Sequence, residues 1–263
     1  MSDWLDPLRL ALDEAGTPIE FFFRDDDGGW SDTRLLKLLD CFDQYSVPID
    51  LAVIPAALTT TMAQELAARV ATNPRRIGIH QHGFAHSNHE QSGRKCEFGV
   101  SRSIDLQCLD IERGKLRLAE LLGTVVNPIF TPPWNRCTRA TGERLVRLGF
   151  SALSRDHTAR PLELPGLIEL PIQIDWFAKQ KGLRVGRGCI SKAIAGSVRQ
   201  GQLIGIMLHH QLMEAEDRLA MSELLALIKT HQKARSNLMH ELVLPREASA
   251  SAGAAPVLVR RES

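Results

Sequence analysis

The chain has 263 residues, 44% of them hydrophobic and 24% charged, with a formal net charge of +1 at pH 7. This composition fits a folded protein with a sizeable core and excludes a disordered chain. The balanced charge excludes the basic footprint of a binder of nucleic acid or anionic membranes. Five cysteines (Cys41, Cys96, Cys108, Cys137, Cys189) are odd in number and none is paired at CxxC spacing, so neither a disulfide frame nor a cysteine zinc site is expected.

In chain order, residues 4–15 read as an amphipathic helix rather than a secretory signal, because early acids replace the basic start such a signal needs. No apolar run approaches spanning length, so the expectation is a cytoplasmic protein without a membrane span. "PIEFFFRDD" reads as a strand, residues 31–46 as a helix with Ser31 or Asp32 as N-cap, and "VPIDLAVIP" as a strand. A helix over 59–72 and the strand "RRIGIHQH" follow, and then a long helix over 103–123 ending at Gly123. The remainder alternates strand "NPIF", a helix over 139–149, strand "FSALS", strand "GLIELPIQI", a helix over 191–201, strand "QLIGIML" and a helix over 214–232. Alternation of this kind predicts an α/β fold, a distorted (β/α) barrel of about seven parallel strands surrounded by helices, with a doubly wound open sheet as the alternative. Residues 1–245 are expected to form one domain, and the Ala/Ser-rich stretch 246–263 a loosely ordered tail.

Parallel α/β folds gather function at the carboxyl ends of their strands. Here those ends carry Asp25-Asp26-Asp27, then "HQHGFAHSNH", "TPPWNR", "DWF" and "HHQ". Three adjacent carboxylates repel one another and require positive partners. His82 and His86 are four residues apart, with Gly83 between them directly after a strand, which suits a turn presenting both imidazoles. Two neutral imidazoles and one carboxylate, naturally Asp27, form an open catalytic zinc site. Asp26 is then placed to act as general base, and a histidine of "LHHQ" to protonate the leaving group. His80 is a reserve ligand, and Trp30 and Trp4 read as packing residues.

These residues, in this order, resemble the motifs of the polysaccharide deacetylase superfamily, carbohydrate esterase family 4, which includes chitooligosaccharide deacetylases. The likeness runs from about Phe21 to His210 and is that of a divergent branch. Asp26-Asp27-Gly28 corresponds to the family's Asp-Asp-Gly, and "HGFAH" to its His, Ser/Thr, two residues, His. "TPPW" corresponds to its Arg-x-Pro-aromatic motif, Asp175-Trp176 to its Asp-Trp, and "MLH", ending at His209, to its Leu-x-His. The resemblance implies a divalent metal, most simply Zn2+, on Asp27, His82 and His86, with Asp26 as base and His209 as acid. It implies a substrate groove around Pro133, Trp134, Asp175 and Trp176, with Arg24, Glu97 and His210 grouped there as well. The implied activity is hydrolysis of the amide of an N-acyl amino sugar or related small amide, with a saccharide or other small molecule as partner. Two departures stand out: Gly83 replaces the Ser/Thr that supports the loop, and Thr131 replaces the arginine that pairs with the catalytic Asp. Arg24 or Arg102 is then needed to supply that charge. Asp25/Asp26 is the alternative register of the working pair, and His210 the alternative acid. The rival functions are a non-catalytic sugar- or metal-binding protein on the same scaffold and a metal-free hydrolase of a non-sugar amide such as a cyclic ureide.

Overall fold

A computed structural model describes residues 3–243. The tail expected from residue 246 lies outside the described residues. In chain order the elements are α1 (Asp6–Glu14), β1 (Ile19–Gly28), α2 (Asp32–Tyr45), β2 (Ile49–Val53), α3 (Thr60–Thr72), β3 (Ile77–His82) and α4 (Ile104–Leu122). They continue with β4 (Val126–Thr131), α5 (Arg139–Arg147), β5 (Ala152–Leu153), β6 (Ile168–Glu169), β7 (Ile174–Asp175), β8 (Lys179–Gln180) and β9 (Leu183–Arg184). The last are α6 (Arg187–Arg199), β10 (Ile204–Leu208), α7 (Ala215–Thr230), β11 (Ala234–Ser236) and α8 (Met239–Val243). No helix among the described residues is long and apolar enough to cross a membrane.

The main sheet runs β6-β5-β4-β3-β2-β1-β10-β7, with β11 pairing to the start of β1. Every ladder in it is parallel, and helices cover it, so the architecture is the expected distorted (β/α) barrel. Its two edges belong to one stretch of chain. Ile168, Leu170 and Ile172 donate backbone N–H groups to Ser151, Leu153 and Arg155, while Gln173 and Trp176 donate to Gly205 and Met207 of β10. The predicted strand "GLIELPIQI" is therefore split in two. The change of partner falls between Ile172 and Gln173, directly after Pro171, which lacks an N–H. The small β8–β9 hairpin, β11 and α8 carried too few periodic residues to be read from sequence.

Helix starts follow the capping chemistry of the sequence. Thr59, Ser103 and Thr138 each accept a hydrogen bond from the N–H three residues on, and Glu214 with Asp217 closes a capping box on α7. Ser31 is the N-cap of α2 but lies at φ 51° and makes no side-chain cap.

The aromatic run of β1 serves two layers, because strand side chains alternate in direction. Phe21 and Phe23 pack in the large core beneath α1, α2 and α7. Phe22 packs inside the barrel with Ile129, Ala152, Ile172, Met207 and Met239. Its ring occupies the space that a side chain at its β10 partner Gly205 would take: a Cβ there would meet Phe22 at 2.3 Å.

Asp50 is also fully buried. One of its oxygens accepts the N–H of Met239 at the start of α8 (2.8 Å), and the other has no partner. Burial pushes its carboxyl up to about 8, against the Met239 bond. A carboxyl raised in the folded state binds its proton more tightly there than in the unfolded chain. Stability is therefore highest at low pH and falls as pH rises from about 4 to about 8. Asp50→Asn keeps the acceptor and removes the charge. Chemical denaturation at pH 4 and pH 8 is expected to show the variant's advantage over wild type growing by about 1 kcal/mol or more from the lower pH to the higher.

Candidate active site

β1 departs from regular strand geometry where its acidic residues lie. Asp25 pairs with Leu51 and Gly28 with Val53, so three steps along β1 match two along β2. Asp27, at φ 67°, is in the left-handed region and absorbs the extra residue as a bulge. The bulge breaks strand alternation and lets Asp26 and Asp27, adjacent in sequence, serve the same rim.

Each of the three carboxylates has a different partner. Asp25 pairs with His210: Nδ1 lies 2.6 Å from Oδ2, and the His210 backbone N–H donates to Oδ1 (2.9 Å). His210 Nε2 is 2.6 Å from the Trp30 carbonyl oxygen. Both ring nitrogens face acceptors, so both carry protons. Burial opposes that charge, but Asp25 outweighs it and raises His210 to about 9. Asp26 is held by Arg24 in a bidentate pair, Nε to Oδ1 at 2.7 Å and Nη2 to Oδ2 at 2.9 Å. Arg24 itself is fully buried and also donates to Ser154 Oγ and Asn135 Oδ1 (2.7 Å each). Burial works against ionisation of Asp26, but Arg24, His82 and His209 together hold its pKa below the usual carboxylate range.

Asp27 meets the imidazoles. Its Oδ1 lies 3.3 Å from His82 Nε2 and 3.2 Å from His86 Nε2, and its Oδ2 accepts from Gln211 Nε2 (2.8 Å). His82 Nδ1 is 3.0 Å from the Thr131 carbonyl oxygen, which can only accept. Nδ1 of His82 therefore carries a proton and Nε2 is the atom turned toward Asp27; burial opposes a charge on this ring, but Asp27 and Asp26 raise it above the usual histidine value. Ligand atoms of Asp27, His82 and His86 all lie within 4.8 Å of one another. Oδ1 of Asp27 is buried without a hydrogen-bond partner. A buried anionic oxygen without a donor, between two imidazole nitrogens, suits a divalent cation. Burial and the neighbouring His82 lower His86 to about 4, which keeps it neutral as a ligand must be. Burial alone would raise Asp27; His82, His209 and His86 outweigh it and hold Asp27 ionised.

The segment joining the two histidines is a turn, with Gly83 (φ 56°) and His86 (φ 55°) in the left-handed region. Glu97 supports it, accepting the N–H groups of Phe84 (3.2 Å) and Ala85 (2.8 Å). A Cβ on Gly83 would lie 2.2 Å from Glu97 Oε2 and 2.6 Å from Pro133. The Glu97 carboxylate thus occupies the space a Ser or Thr would need and takes over the support of the loop. The second departure is met in the same way. Thr131 has its hydroxyl bonded to His80 (2.8 Å), and the charge beside Asp26 comes from Arg24. Arg102, the other contender, pairs with Asp110 instead.

Around this centre, His209 Nε2 lies 4.0 Å from Asp27 Oδ2, and Trp134 and Trp30 flank His86 with ring centroids 4.4 and 5.0 Å away. Trp134, Asn135, Asp175 and Met207 line an adjoining cleft of about 610 Å3. Other residues grouped with substrate binding are placed elsewhere. Trp176 is 1% exposed and packs edge-on to Trp4, so it is a core residue. His210, Arg24, Glu97 and Pro133 are buried, and the partners of the first three give them supporting roles. His80 is buried behind Thr131 and stands outside the ligand cluster. Sequence reasoning missed Asn135, Ser154 and Gln211, short polar residues with no motif spacing. It also set Trp30 aside as packing, although "DDGGW" places it directly after the acidic run.

No family model matches the chain, and no curated protein matches it in sequence. Solved structures do match in fold. A protein from Mycobacterium smegmatis described as a polysaccharide deacetylase is 18% identical, covers 94% of this chain and 96% of its own, and superposes with a TM-score of 0.67. A family 4 acetyl xylan esterase from Clostridium thermocellum, solved with a cobalt ion, is 15% identical over 85% of this chain and 89% of its own (TM-score 0.54). A carbohydrate esterase family 4 pseudoenzyme from Bacillus anthracis is 10% identical over 87% of this chain and 66% of its own (TM-score 0.54). The chain has the fold of the polysaccharide deacetylases and family 4 carbohydrate esterases, at the low identity of a divergent branch.

Gly83→Ser introduces the hydroxyl residue of the motif but collides with Glu97 and Pro133. It is expected to displace the loop and cost about 1–3 kcal/mol in chemical denaturation, and a variant as stable as wild type would show that the loop has room for a side chain there.

Proposed function

We propose that this protein is a metal-dependent hydrolase that removes the acyl group from an N-acyl amino sugar or a related small amide. The observation that carries the proposal is the buried, unpartnered Asp27 Oδ1 between His82 and His86, with ionised Asp26 and His209 beside it. Asp27, His82 and His86 would hold the metal. Two nitrogens and one carboxylate oxygen suit Zn2+, and cobalt, nickel, iron or manganese also accept such a set. A divalent cation there supplies acidification of a water and polarisation of the acyl carbonyl.

The chain's own groups account for the proton movements. Asp26 is ionised, and although both of its oxygens accept from Arg24, each retains a lone pair. It takes the proton of the attacking water as that oxygen bonds to the acyl carbon. Breaking the C–N bond requires a proton on the departing amine. His209, partly exposed on the same rim, delivers it from a ring nitrogen. His210 cannot serve, because Asp25 and the Trp30 carbonyl occupy both of its nitrogens. Arg24 fixes the carboxylate plane of Asp26, and the Trp30 and Trp134 rings fix His86. The products are a carboxylic acid and a free amine.

The same fold occurs in a pseudoenzyme, so fold does not by itself establish turnover. Gly83 and Thr131 would argue for a degenerate site only if the roles of the residues they replace were unfilled, and Glu97 and Arg24 fill them.

Elemental analysis of protein purified without chelator is expected to give about one divalent ion per chain, lost in His82→Ala and Asp27→Ala. Hydrolysis of acylated amino sugars is expected to stop on chelation and to return with Zn2+. Metal without hydrolysis would establish the binding-protein alternative, and hydrolysis that survives chelation the metal-free one. Asp26→Asn and Arg24→Gln are expected to retain metal and lose about 100-fold or more in kcat. Equal kcat in Arg24→Gln would remove the positioning role given to that side chain.

A further inference from the structure

The cleft beside Asp27, His82 and His86 is lined by charges of both signs. Arg94 and Arg136 line it, and Lys95 places its ammonium 6.0 Å from the centroid of Trp134, the ring that also contacts His86. These three cations come from the loops that follow β3 and β4. Arg136 donates to the backbone carbonyl of Lys95 (2.9 Å), which ties the two loops together at that wall. Among the described residues, no carboxylate forms an ion pair with Arg94, Lys95 or Arg136. The carboxylates of the cleft, Asp156 and Asp175, come from the other elements, the loop after β5 and the end of β7. The chain as a whole carries a net charge of only +1, so two arginines lining the cleft and a lysine over its tryptophan, none with a carboxylate partner, are a local arrangement and not a consequence of overall basicity.

Resting on the hydrolase reading above, we infer that the substrate is an acylated amino sugar, or similar small amide, that itself carries an anionic group, a phosphate or a carboxylate. A sugar ring stacked on Trp134 would place its acyl group toward His86 and Asp27 and its anionic group toward Arg94, Lys95 and Arg136. Arginine forks bind planar or tetrahedral oxyanions through paired hydrogen bonds, and an unpaired guanidinium at a cleft is already poised to do so. Asp175, which lines the same cleft, is available to the amine that deacylation releases, which is cationic at neutral pH. A neutral substrate would leave the three cations without a partner in the complex. A cationic one would be repelled by them.

The test compares four probes: N-acetylglucosamine, N-acetylglucosamine 1-phosphate, N-acetylglucosamine 6-phosphate and N-acetylmuramic acid. Binding is measured by ligand-observed NMR on protein with no metal added, and kcat/KM on Zn2+-loaded protein. At least one anionic probe is expected to bind at least tenfold more tightly than N-acetylglucosamine, with the gap narrowing as salt is raised. In the double variant Arg94→Gln, Arg136→Gln the ratio of anionic to neutral affinity is expected to fall toward one. Preference for the two phosphates over N-acetylmuramic acid identifies the group as phosphate, and the reverse order as carboxylate. Equal affinity for all four probes, or a preference that survives in the double variant, overturns the inference. Hydrolysis without anionic preference leaves the hydrolase reading standing and removes this one. Anionic preference in binding without hydrolysis of any probe does the opposite.

Discussion

Three consecutive carboxylates at the buried end of a central strand would drive the barrel apart unless each were neutralised separately. β1 solves this by sending them to three places. Alternation turns Asp25 toward the helical layer, where His210 carries a full positive charge between it and the Trp30 carbonyl. Asp26 turns inward to Arg24, two residues back on the same strand. The bulge at Asp27 then redirects the third carboxylate toward His82 and His86. Asp25 is closed off by His210, Asp26 is oriented by Arg24 with lone pairs to spare, and Asp27 Oδ1 is left buried without a hydrogen bond between two imidazole nitrogens.

The supporting residues show how a rim of this kind can change its parts and keep its geometry. The guanidinium beside the working Asp is supplied by the same strand rather than by the β4 loop. The position on β4 is then free to hold a threonine whose hydroxyl binds His80. The loop between the two histidines is held from outside by the Glu97 carboxylate rather than by a hydroxyl of its own, and glycine is the residue that leaves room for it. Each exchange moves a charge or hydrogen bond to another element with its end point unchanged. This is why motif matching finds the positions but misjudges the departures.

The mixed lining of the cleft follows from the same topology. β3 and β4 are neighbours in the sheet, so the loops that follow them, which carry Arg94 and Arg136, lie side by side, whereas Asp156 and Asp175 come from β5 and β7, which do not pair with each other.

The sequence by itself determined an α/β fold on a parallel sheet, because strand–helix alternation and period-2 and period-3.6 patterns are local properties, while the choice of a barrel over a doubly wound sheet rested on the order of the motifs. It also determined that Asp26, Asp27, His82, His86 and His209 belong to one rim, because residues directly after strands in a parallel sheet must lie on the same side. Tertiary structure decided the rest. Which of two adjacent histidines faces the cleft depended on the His210–Asp25 contact, 185 residues apart in the chain. That Arg24 joins Asp26 to Ser154 and Asn135, and that Glu97 lies against the Phe84–Ala85 backbone, depended on contacts between separate segments. That Trp176 packs on Trp4 and Trp30 on His86 depended on which ring found a neighbour across the fold. These are through-space matters of charge neutralisation and packing, and no spacing along the chain encodes them.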